Sequence, residues 1–360
     1  MENDDILNIV DSILSAYKKN QTFISKLKKF NFLSIINPYN PEEKIINPVA
    51  PNSNQDNKFG AVDSGFVNKQ LNLANIIIIK EVGVVFEYNN NKLNKAIYFP
   101  KTYNLPKPYL NSSPMELEEI MWDTSILRLN KEINLGIDIL KKEKINFLLL
   151  DGSIIPQYIA KPTKSSPLDQ KYTELINKFV DIIEISKQKK CFIVGCIEDS
   201  RANRFFSFLK QEVLLNNDFD FELYDPFVVS SLLDVNQRTC VFKYSKDTDA
   251  HPILKDFPKD IRDNIYVCYV KLSNFDYPLR LEFVYFPEFG LSLLDFTNEI
   301  VNNIASISCF NKKYIYPAPL IEADLRSRLT LNDIDQIMTK ILEKTKSLGI
   351  RLPRRENRIF

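Results

Sequence analysis

The stretch that decides the fold is Lys58-Phe-Gly-Ala-Val-Asp-Ser-Gly-Phe66. A short apolar run leads to Asp63, and two further apolar runs follow at residues 76–79 and 82–86. We interpret this as a strand carrying one carboxylate, a tight turn at Gly65, and two more strands, because glycine tolerates the backbone angles of tight turns. A carboxylate inside a strand is costly to bury unless a partner such as a metal ion neutralises it.

A second carboxylate stands in a similar setting. The apolar run at residues 147–150 ends in Asp151-Gly152-Ser153. Taken alone, an Asp before Gly or Ser more often starts a turn than builds a site. Two acidic strand ends do not by themselves make a functional site, so we look for a third residue that would complete one.

The clearest helix spans residues 115–143, where apolar side chains recur every three or four positions. Glu132 borders this apolar stripe, one turn after Arg128. Taken alone, Glu132 is more simply a solvated helix glutamate, since Glu is a common surface helix former. Glu118 and Glu119 remain possible substitutes for it in a site.

Composition excludes several classes of site. The chain has 360 residues and 44% hydrophobic content, and 47 basic against 46 acidic residues give a net charge of +1, so any basic surface must be local. A single histidine, His251, excludes a His-rich zinc site. Five cysteines in apolar settings predict buried free thiols in a reducing cytoplasm. No signal peptide and no apolar run of membrane-spanning length is found, so we expect a soluble cytoplasmic protein.

Strands and helices alternate after residue 147, which favours an α/β sheet with parallel members. Active sites in such sheets gather at the carboxyl ends of strands, where Asp151 and Asp199 fall. Residues 1–35 are expected to form amphipathic helices that pack on the body, with docking on a second protein as the alternative. We therefore expect an N-terminal helical and loop extension over residues 1–57, a core domain over 58–330, and a C-terminal helix with a basic tail over 331–360.

The three acidic positions allow one kind of chemistry. Carboxylates from Asp63, Glu132 and Asp151 that converge on one point repel each other unless hard cations lie between them. Mg²⁺ and Mn²⁺ take oxygen ligands and keep positions open for water and phosphate. Two such ions about 3.5–4 Å apart can hold both the attacking and the leaving oxygen of a phosphodiester. No Walker-type glycine-rich loop is present, so nucleotide hydrolysis is not expected.

An ordered set of motifs resembles the NurA nuclease family, the partner of the HerA hexameric helicase–translocase. The resemblance covers residues 55–330 and is carried by Ala61-Val-Asp-Ser-Gly65, the helix with Arg128 and Glu132, Leu149-Leu-Asp-Gly-Ser153, the strand and turn from Phe192 to Arg201, Arg280-Leu-Glu-Phe283 and Tyr316-Pro-Ala-Pro-Leu-Ile-Glu-Ala-Asp324. It implies a ribonuclease H-like mixed sheet flanked by helices, with N- and C-terminal helical extensions, and a homodimer. It also implies a 5′-to-3′ exonuclease and single-strand endonuclease that uses Mn²⁺ or Mg²⁺ on single-stranded DNA and duplex ends, in end resection and double-strand break repair.

Carried over by position, the resemblance implies that Asp63, Glu132 and Asp151 bind metal and that Tyr316 belongs to the site. The family usually has a histidine eight residues after that tyrosine, and this chain has Asp324 there. An Asp can bind metal but cannot carry a positive charge to phosphate at neutral pH. The first acidic motif also has Asp-Ser-Gly where the family more often has Asp-Gly-Ser.

Basic residues follow two of these motifs. Arg201 and Arg204 come after the third strand, and Arg326 and Arg328 follow Asp324. We expect them to line a channel and pair with DNA phosphates, although ordinary surface charge is the simpler interpretation of each.

Three functions remain open. The first is a metal-dependent DNA nuclease acting with a HerA-type motor. The second is a catalytically weakened subunit that keeps the fold and binds DNA and the motor as a scaffold, which the missing histidine favours. The third is a different ribonuclease H-like nuclease. Because the carboxylates at 63, 132 and 151 are all retained, we favour the active enzyme.

Overall fold

The protein is described by a computed structural model over residues 2–52, 56–102, 105–214 and 223–352. The helices are α1 (Glu2–Leu27), α2 (Leu117–Lys142), α3 (Asp169–Lys189), α4 (Arg204–Phe208), α5 (Asp225–Leu232), α6 (Lys259–Arg262), α7 (Leu293–Ser306), α8 (Ala318–Ser327) and α9 (Leu331–Thr345). The strands are β1 (Ile36–Asn37), β2 (Asn40–Lys44), β3 (Ile46–Pro48), β4 (Lys58–Gln70), β5 (Asn75–Asn89), β6 (Lys92–Phe99), β7 (Lys107–Asn111), β8 (Phe147–Asp151), β9 (Phe192–Ile197), β10 (Gln237–Thr239), β11 (Phe242–Lys243), β12 (Ile265–Lys271) and β13 (Leu279–Val284).

One large mixed sheet forms the centre of the described chain, in the order β3-β10-β12-β13-β9-β8-β4-β5-β6. The neighbours β4, β8 and β9 run parallel, and β5 and β13 flank them antiparallel. Helices α2 and α3 connect the parallel strands, as the alternation of strands and helices predicts. The predicted mixed sheet flanked by helices is thus confirmed.

The turn predicted at Ser64-Gly65 was wrong, because β4 continues through both residues to Gln70. Gly65 has no positive φ, so it does not serve as a turn residue. A Cβ atom at this position would overlap the carbonyl oxygen of Ser327 on α8, and glycine is therefore needed to let that helix end approach the strand. The chain reverses later, between Gln70 and Asn75.

The two strands predicted after Asp63 are one long strand, β5, which pairs with β4 along its whole length. β5 and β6 form an antiparallel hairpin, with Asn90 and Asn91 at positive φ. Asn tolerates this conformation better than most residues do.

After β9 the chain forms α4, followed by a π-helical turn at Leu209–Val213. The phenylalanines of α4 are core residues, since Phe205 and Phe206 are fully buried.

Part of each terminal segment packs on the sheet, whereas the first half of α1 is exposed. β3 pairs with β10 at one edge of the sheet, and α9 covers a small apolar cluster that includes Leu71, Ile76 and Ile78 at the β4–β5 turn. The boundaries expected near residues 57 and 330 remain a prediction, and residues 353–360 of the expected basic tail lie outside the described residues.

Four of the cysteines are buried free thiols, as expected, while Cys309 is exposed. Within the described ranges, none of the helices combines the length and the apolar character needed to cross a membrane.

Candidate active site

Asp63 and Asp151 lie side by side on neighbouring parallel strands. The register pairs Val62 of β4 with Leu150 of β8, so the next residue of each strand is an aspartate. Paired residues on adjacent strands point to the same face and are about 4.8 Å apart across the ladder. Asp63 is only 5% exposed, and Asp151 is the last residue of β8. Strand register alone therefore brings two carboxyl groups together at the carboxyl end of β8.

Two hydroxyl groups from the α8 region hold this pair. The Ser327 hydroxyl donates a hydrogen bond of 2.6 Å to Oδ2 of Asp63. The Tyr316 hydroxyl contacts Oδ1 of Asp151 and lies 3.0 Å from the carbonyl oxygen of Cys196. Tyr316 is buried, so its ring is fixed beside Asp151.

Glu132 is buried but approaches the sheet from the other face. Oε2 of Glu132 accepts hydrogen bonds from the Ser64 hydroxyl at 2.9 Å and from Nη1 of Arg128 at 3.2 Å. Successive side chains of a strand alternate between faces, so Ser64 points toward α2 while Asp63 points toward α8. The structure thus brings Asp63 and Asp151 into one pair and holds Glu132 against Ser64 and Arg128.

The alternative acids of α2 lie away from this pair, at the start of the helix. Glu119 takes part in a capping box, with Oε2 accepting a hydrogen bond of 3.1 Å from the amide of Glu116. Glu118 lines an exposed apolar depression with Met121 and Trp122. Of the three candidates on α2, Glu132 is the one that interacts with Asp63 and Asp151.

Burial raises the pKa values of two carboxyl groups of the site. Burial raises the pKa of Glu132 to about 8, and the charges of Asp63 and Asp151 add to the increase while Arg128 opposes it. Burial also raises the pKa of Asp151 to about 7, with a further increase from the neighbouring Asp63. Desolvation and like charges both disfavour the ionised form of these carboxyl groups, and they outweigh the opposing charge of Arg128.

The chemistry of these donors fits a hard divalent cation. Asp63 and Asp151 offer oxygen atoms side by side, and a cation would remove the repulsion that raises the pKa of Asp151. In the part of the chain that the structure describes, however, no group of three or more His, Cys, Asp or Glu side chains is arranged to hold a metal ion. The convergence of three carboxylates expected from the sequence is therefore not present in this conformation, because Glu132 is bonded to Ser64 and Arg128.

Asp324 lies on α8, one turn before Ser327 and Arg328. Nη2 of Arg328 pairs with Oδ2 of Asp324 at 2.5 Å. The pKa of the Arg328 guanidinium is raised by Asp324 and, to a smaller extent, by Asp63. An arginine thus lies beside Asp324 and within the electrostatic field of Asp63.

A basic groove is lined by Lys80, Tyr98, Lys101, Arg326 and Arg328 together with neighbouring residues. Its volume is about 600 Å³, and its lining includes Val82, which pairs with Asp63 in the β4–β5 ladder. Arg326 stacks on the Tyr98 ring at 3.9 Å and pairs with Glu322 at 2.5 Å.

The other two predicted DNA-binding arginines lie elsewhere. Arg201 is exposed in the loop after β9. Arg204 donates a hydrogen bond of 2.6 Å to the carbonyl oxygen of Tyr244 and stacks over its ring at 4.2 Å. It lines a separate cavity of about 460 Å³ with Lys243 and Lys246. The four arginines therefore do not form one channel surface in this structure.

Sequence reasoning missed the residues that support the acids. Ser64 lies in the first motif, next to Asp63. Ser327 lies 11 residues after Tyr316, and no sequence motif marks it as a site residue. Glu282 was recognised only as part of a motif. It accepts a hydrogen bond of 2.6 Å from Ser153 and pairs with Arg280 at 2.5 Å, which fixes the turn after Asp151.

Comparison with known proteins agrees with the expected family. A family model described as the NurA domain matches residues 57–329. The NurA nuclease from Sulfolobus solfataricus has 16% sequence identity and a TM-score of 0.58, over 94% of this chain and 97% of that chain. A structure of NurA with manganese has 9% identity and a TM-score of 0.48, over 82% of this chain and 90% of that one. A structure of NurA bound to dAMP and manganese has 13% identity and a TM-score of 0.42, over 91% and 93%. No curated protein matches the sequence.

Proposed function

The chain belongs to the NurA family, and we propose that it is a metal-dependent DNA nuclease whose reaction centre is the pair Asp63 and Asp151. One observation carries the proposal: strand register places these two acids side by side at the carboxyl end of β8, each with a hydroxyl donor. Asp63 and Asp151 would hold a divalent cation, Mn²⁺ or Mg²⁺. When bound there, it would neutralise the carboxylates and supply an activated water and a positive charge for the phosphate.

The chain's own residues orient the acids. Ser327 fixes one oxygen of Asp63, and Tyr316 fixes one oxygen of Asp151, which leaves the second oxygen of each carboxylate for a cation. Because the Tyr316 hydroxyl also contacts the Cys196 carbonyl oxygen, its position is set by the backbone of β9. Orientation of this kind lowers the cost of arranging the ligands before the reaction.

Glu132 would bind the metal only after breaking its hydrogen bonds to Ser64 and Arg128. It is held by Ser64 and Arg128 in this conformation, and its raised pKa favours the protonated form without a cation. A cation near Asp63 would lower that pKa and draw the ionised carboxylate toward it. We therefore assign Glu132 as a ligand of the loaded state.

DNA would enter along the basic groove. Lys80, Lys101, Arg326 and Arg328 provide positive charge beside Asp63, and phosphate contacts of this type position a strand without reading its sequence. Arg328 would also supply the positive charge that Asp324 cannot. Single-stranded DNA and duplex ends as substrates, 5′-to-3′ polarity, end resection and double-strand break repair follow from the family resemblance.

The same resemblance supports a HerA-type hexameric partner and a homodimer. A second candidate function is a catalytically weakened scaffold that binds DNA and the motor. It is favoured by one observation, that in the described residues Glu132 does not form a ready-made cluster with the two aspartates.

The deciding experiment measures cleavage of end-labelled single-stranded DNA with Mn²⁺, Mg²⁺ or EDTA. We compare the wild type with Asp63→Asn and Asp151→Asn, and use Asp138→Asn, an exposed α2 aspartate paired with Lys142, as the matched control. We expect metal-dependent cutting that is lost in both site variants and kept in the control. If the wild type does not cut, alone or with its motor, the scaffold is the better conclusion.

A further inference from the structure

The turn that follows Asp151 lies directly against strand β9. The amide of Gly152 donates a hydrogen bond of 2.8 Å to the carbonyl oxygen of Cys196. A Cβ atom at Gly195 would lie 2.6 Å from the carbonyl oxygen of Gly152 and 2.7 Å from the amide nitrogen of Ile154. The turn approaches the strand this closely because Gly195 has no side chain.

Glu282 reaches this turn across Gly195. The β9–β13 register pairs Glu282 with Gly195, and the β8–β9 register pairs Gly195 with Leu150. Paired residues on neighbouring strands point to the same face of a sheet, and successive residues of a strand alternate between faces. Glu282 therefore lies on the face opposite to the Asp151 side chain, so any effect of Glu282 on Asp151 passes through the backbone of the turn.

The Glu282 carboxylate bonds the turn with one oxygen and an arginine with the other. Its Oε2 atom accepts hydrogen bonds of 2.6 Å from the Ser153 hydroxyl and 3.3 Å from the Ile154 amide. Its Oε1 atom accepts hydrogen bonds of 2.8 Å and 2.5 Å from Nε and Nη2 of Arg280. Both Glu282 and Arg280 are buried, so water does not compete for these bonds and the orientation of the carboxylate is fixed.

Arg280 is held in turn by a second buried acid. Its Nη1 atom donates a hydrogen bond of 3.2 Å to the Tyr269 hydroxyl, which donates one of 2.7 Å to Oδ2 of Asp225. Asp225 also accepts hydrogen bonds from two backbone amides of α4, each 2.9 Å long. A buried ion pair contributes little net stability, because the cost of desolvation offsets the attraction. Its value here lies in placing a charged acceptor beneath the turn.

We propose that Glu282 and Ser153 are positioning residues that direct the Asp151 carboxylate toward the cation. This inference rests on the proposed metal site at Asp63 and Asp151 and adds the contacts that orient it. The bonds to Glu282 fix the backbone immediately after Asp151, and a ligand held in place by its neighbours binds a metal more tightly than one that is free to move. Loss of such a supporting contact typically lowers metal affinity by about 10-fold to 100-fold.

Two measurements on the full chain test this step. Hydrogen exchange of the Ile154 and Ile155 amides reports whether the turn is held, and Mn²⁺ binding in the absence of DNA reports whether Asp151 is oriented for the cation. Ser153→Ala should speed the exchange of both amides and raise the Mn²⁺ dissociation constant about tenfold. The melting temperature without metal should stay close to that of the wild type, because Ser153 is only half-buried. Ser153→Thr keeps the hydroxyl and should restore both values.

Ser231→Ala is the matched control, since Ser231 is also half-buried and bonds the carbonyl oxygen of Phe227 within α5. Faster exchange with unchanged Mn²⁺ affinity would mean that the Ser153 contact is only structural. Weaker Mn²⁺ binding with unchanged exchange would mean that Ser153 acts on the cation directly. Either result overturns the inference and leaves the proposed nuclease intact, whereas a wild type that binds no Mn²⁺ would contradict the metal site itself and this inference with it.

Discussion

Ser327, at the end of α8, donates a hydrogen bond of 2.6 Å to Oδ2 of Asp63, across 264 residues of sequence. The contact exists because Gly65, two residues after Asp63 on the same face of β4, has no side chain to keep the helix end away. The Asp-Ser-Gly order of this chain thus has two consequences. Ser64 faces α2 and holds Glu132, while Gly65 faces α8 and admits Ser327.

Ser327→Ala should lower DNA cleavage about tenfold or more at constant metal concentration. The variant removes a hydrogen bond to a charged group, which is worth about 1.5–3 kcal/mol, and leaves Asp63 free to rotate. Cleavage rates at several Mn²⁺ concentrations would show whether the loss is in metal affinity. Ser231→Ala removes only a local bond to the carbonyl oxygen of Phe227 and is the matched control. Equal activity of both variants would contradict a positioning role.

Gly65→Ala should destabilise the protein by about 1–3 kcal/mol and reduce cleavage together with it, because the added Cβ meets the Ser327 backbone. Chemical denaturation gives the stability and the DNA assay gives the activity. Gly60→Ala on the same strand is the control: its Cβ would lie 2.7 Å from the terminal methyl of Ile145, which can move. A Gly65 variant as stable as the Gly60 variant would mean that α8 shifts easily.

The metal-free protein should lose stability as the pH rises from about 5 to above 8. The pKa values of Asp151 and Glu132 in the folded state are about 7 and about 8, above their usual values of 3.8 and 4.5. The folded state therefore binds more protons than the unfolded state between these limits. Its stability is highest below the unfolded pKa values and falls as the pH passes through the folded ones.

Thermal unfolding in EDTA measures this slope. The decrease should amount to at least about 1 kcal/mol, which is roughly the effect of one pKa unit. Glu132→Gln should flatten the curve, and Mn²⁺ should restore stability at pH 8 by binding the ionised carboxylates. A flat curve for the wild type in EDTA would show that the acids are not held as described.

Arg328→Ala should weaken DNA binding and reduce the slope of log affinity against log salt by about 1, as expected for the loss of one phosphate contact. Lys142→Ala removes a comparable helical ion pair, with Asp138 at 3.2 Å, and is the control. Fluorescence anisotropy with a labelled single strand over a salt series measures both values. If the two variants bind alike, Arg328 does not contact the DNA phosphates.

The sequence alone determined the order of the elements. Apolar runs and helical spacing placed β8 and α2, and they predicted the alternation of strands and helices after residue 147. These features follow from local periodicity and backbone preference, which act over a few residues. The same local signals misassigned Gly65, because a glycine kept for close packing looks identical in sequence to a glycine kept for a turn.

Tertiary structure alone decided which acids meet. Asp63 and Asp151 were both recognised in the sequence, but only the parallel register of β4 and β8 makes them neighbours. Glu132 was recognised too, yet its partners depend on which face of β4 the helix α2 covers. Because side chains alternate along a strand, adjacent residues point to opposite faces of the sheet. Only long-range packing determines what lies on each face.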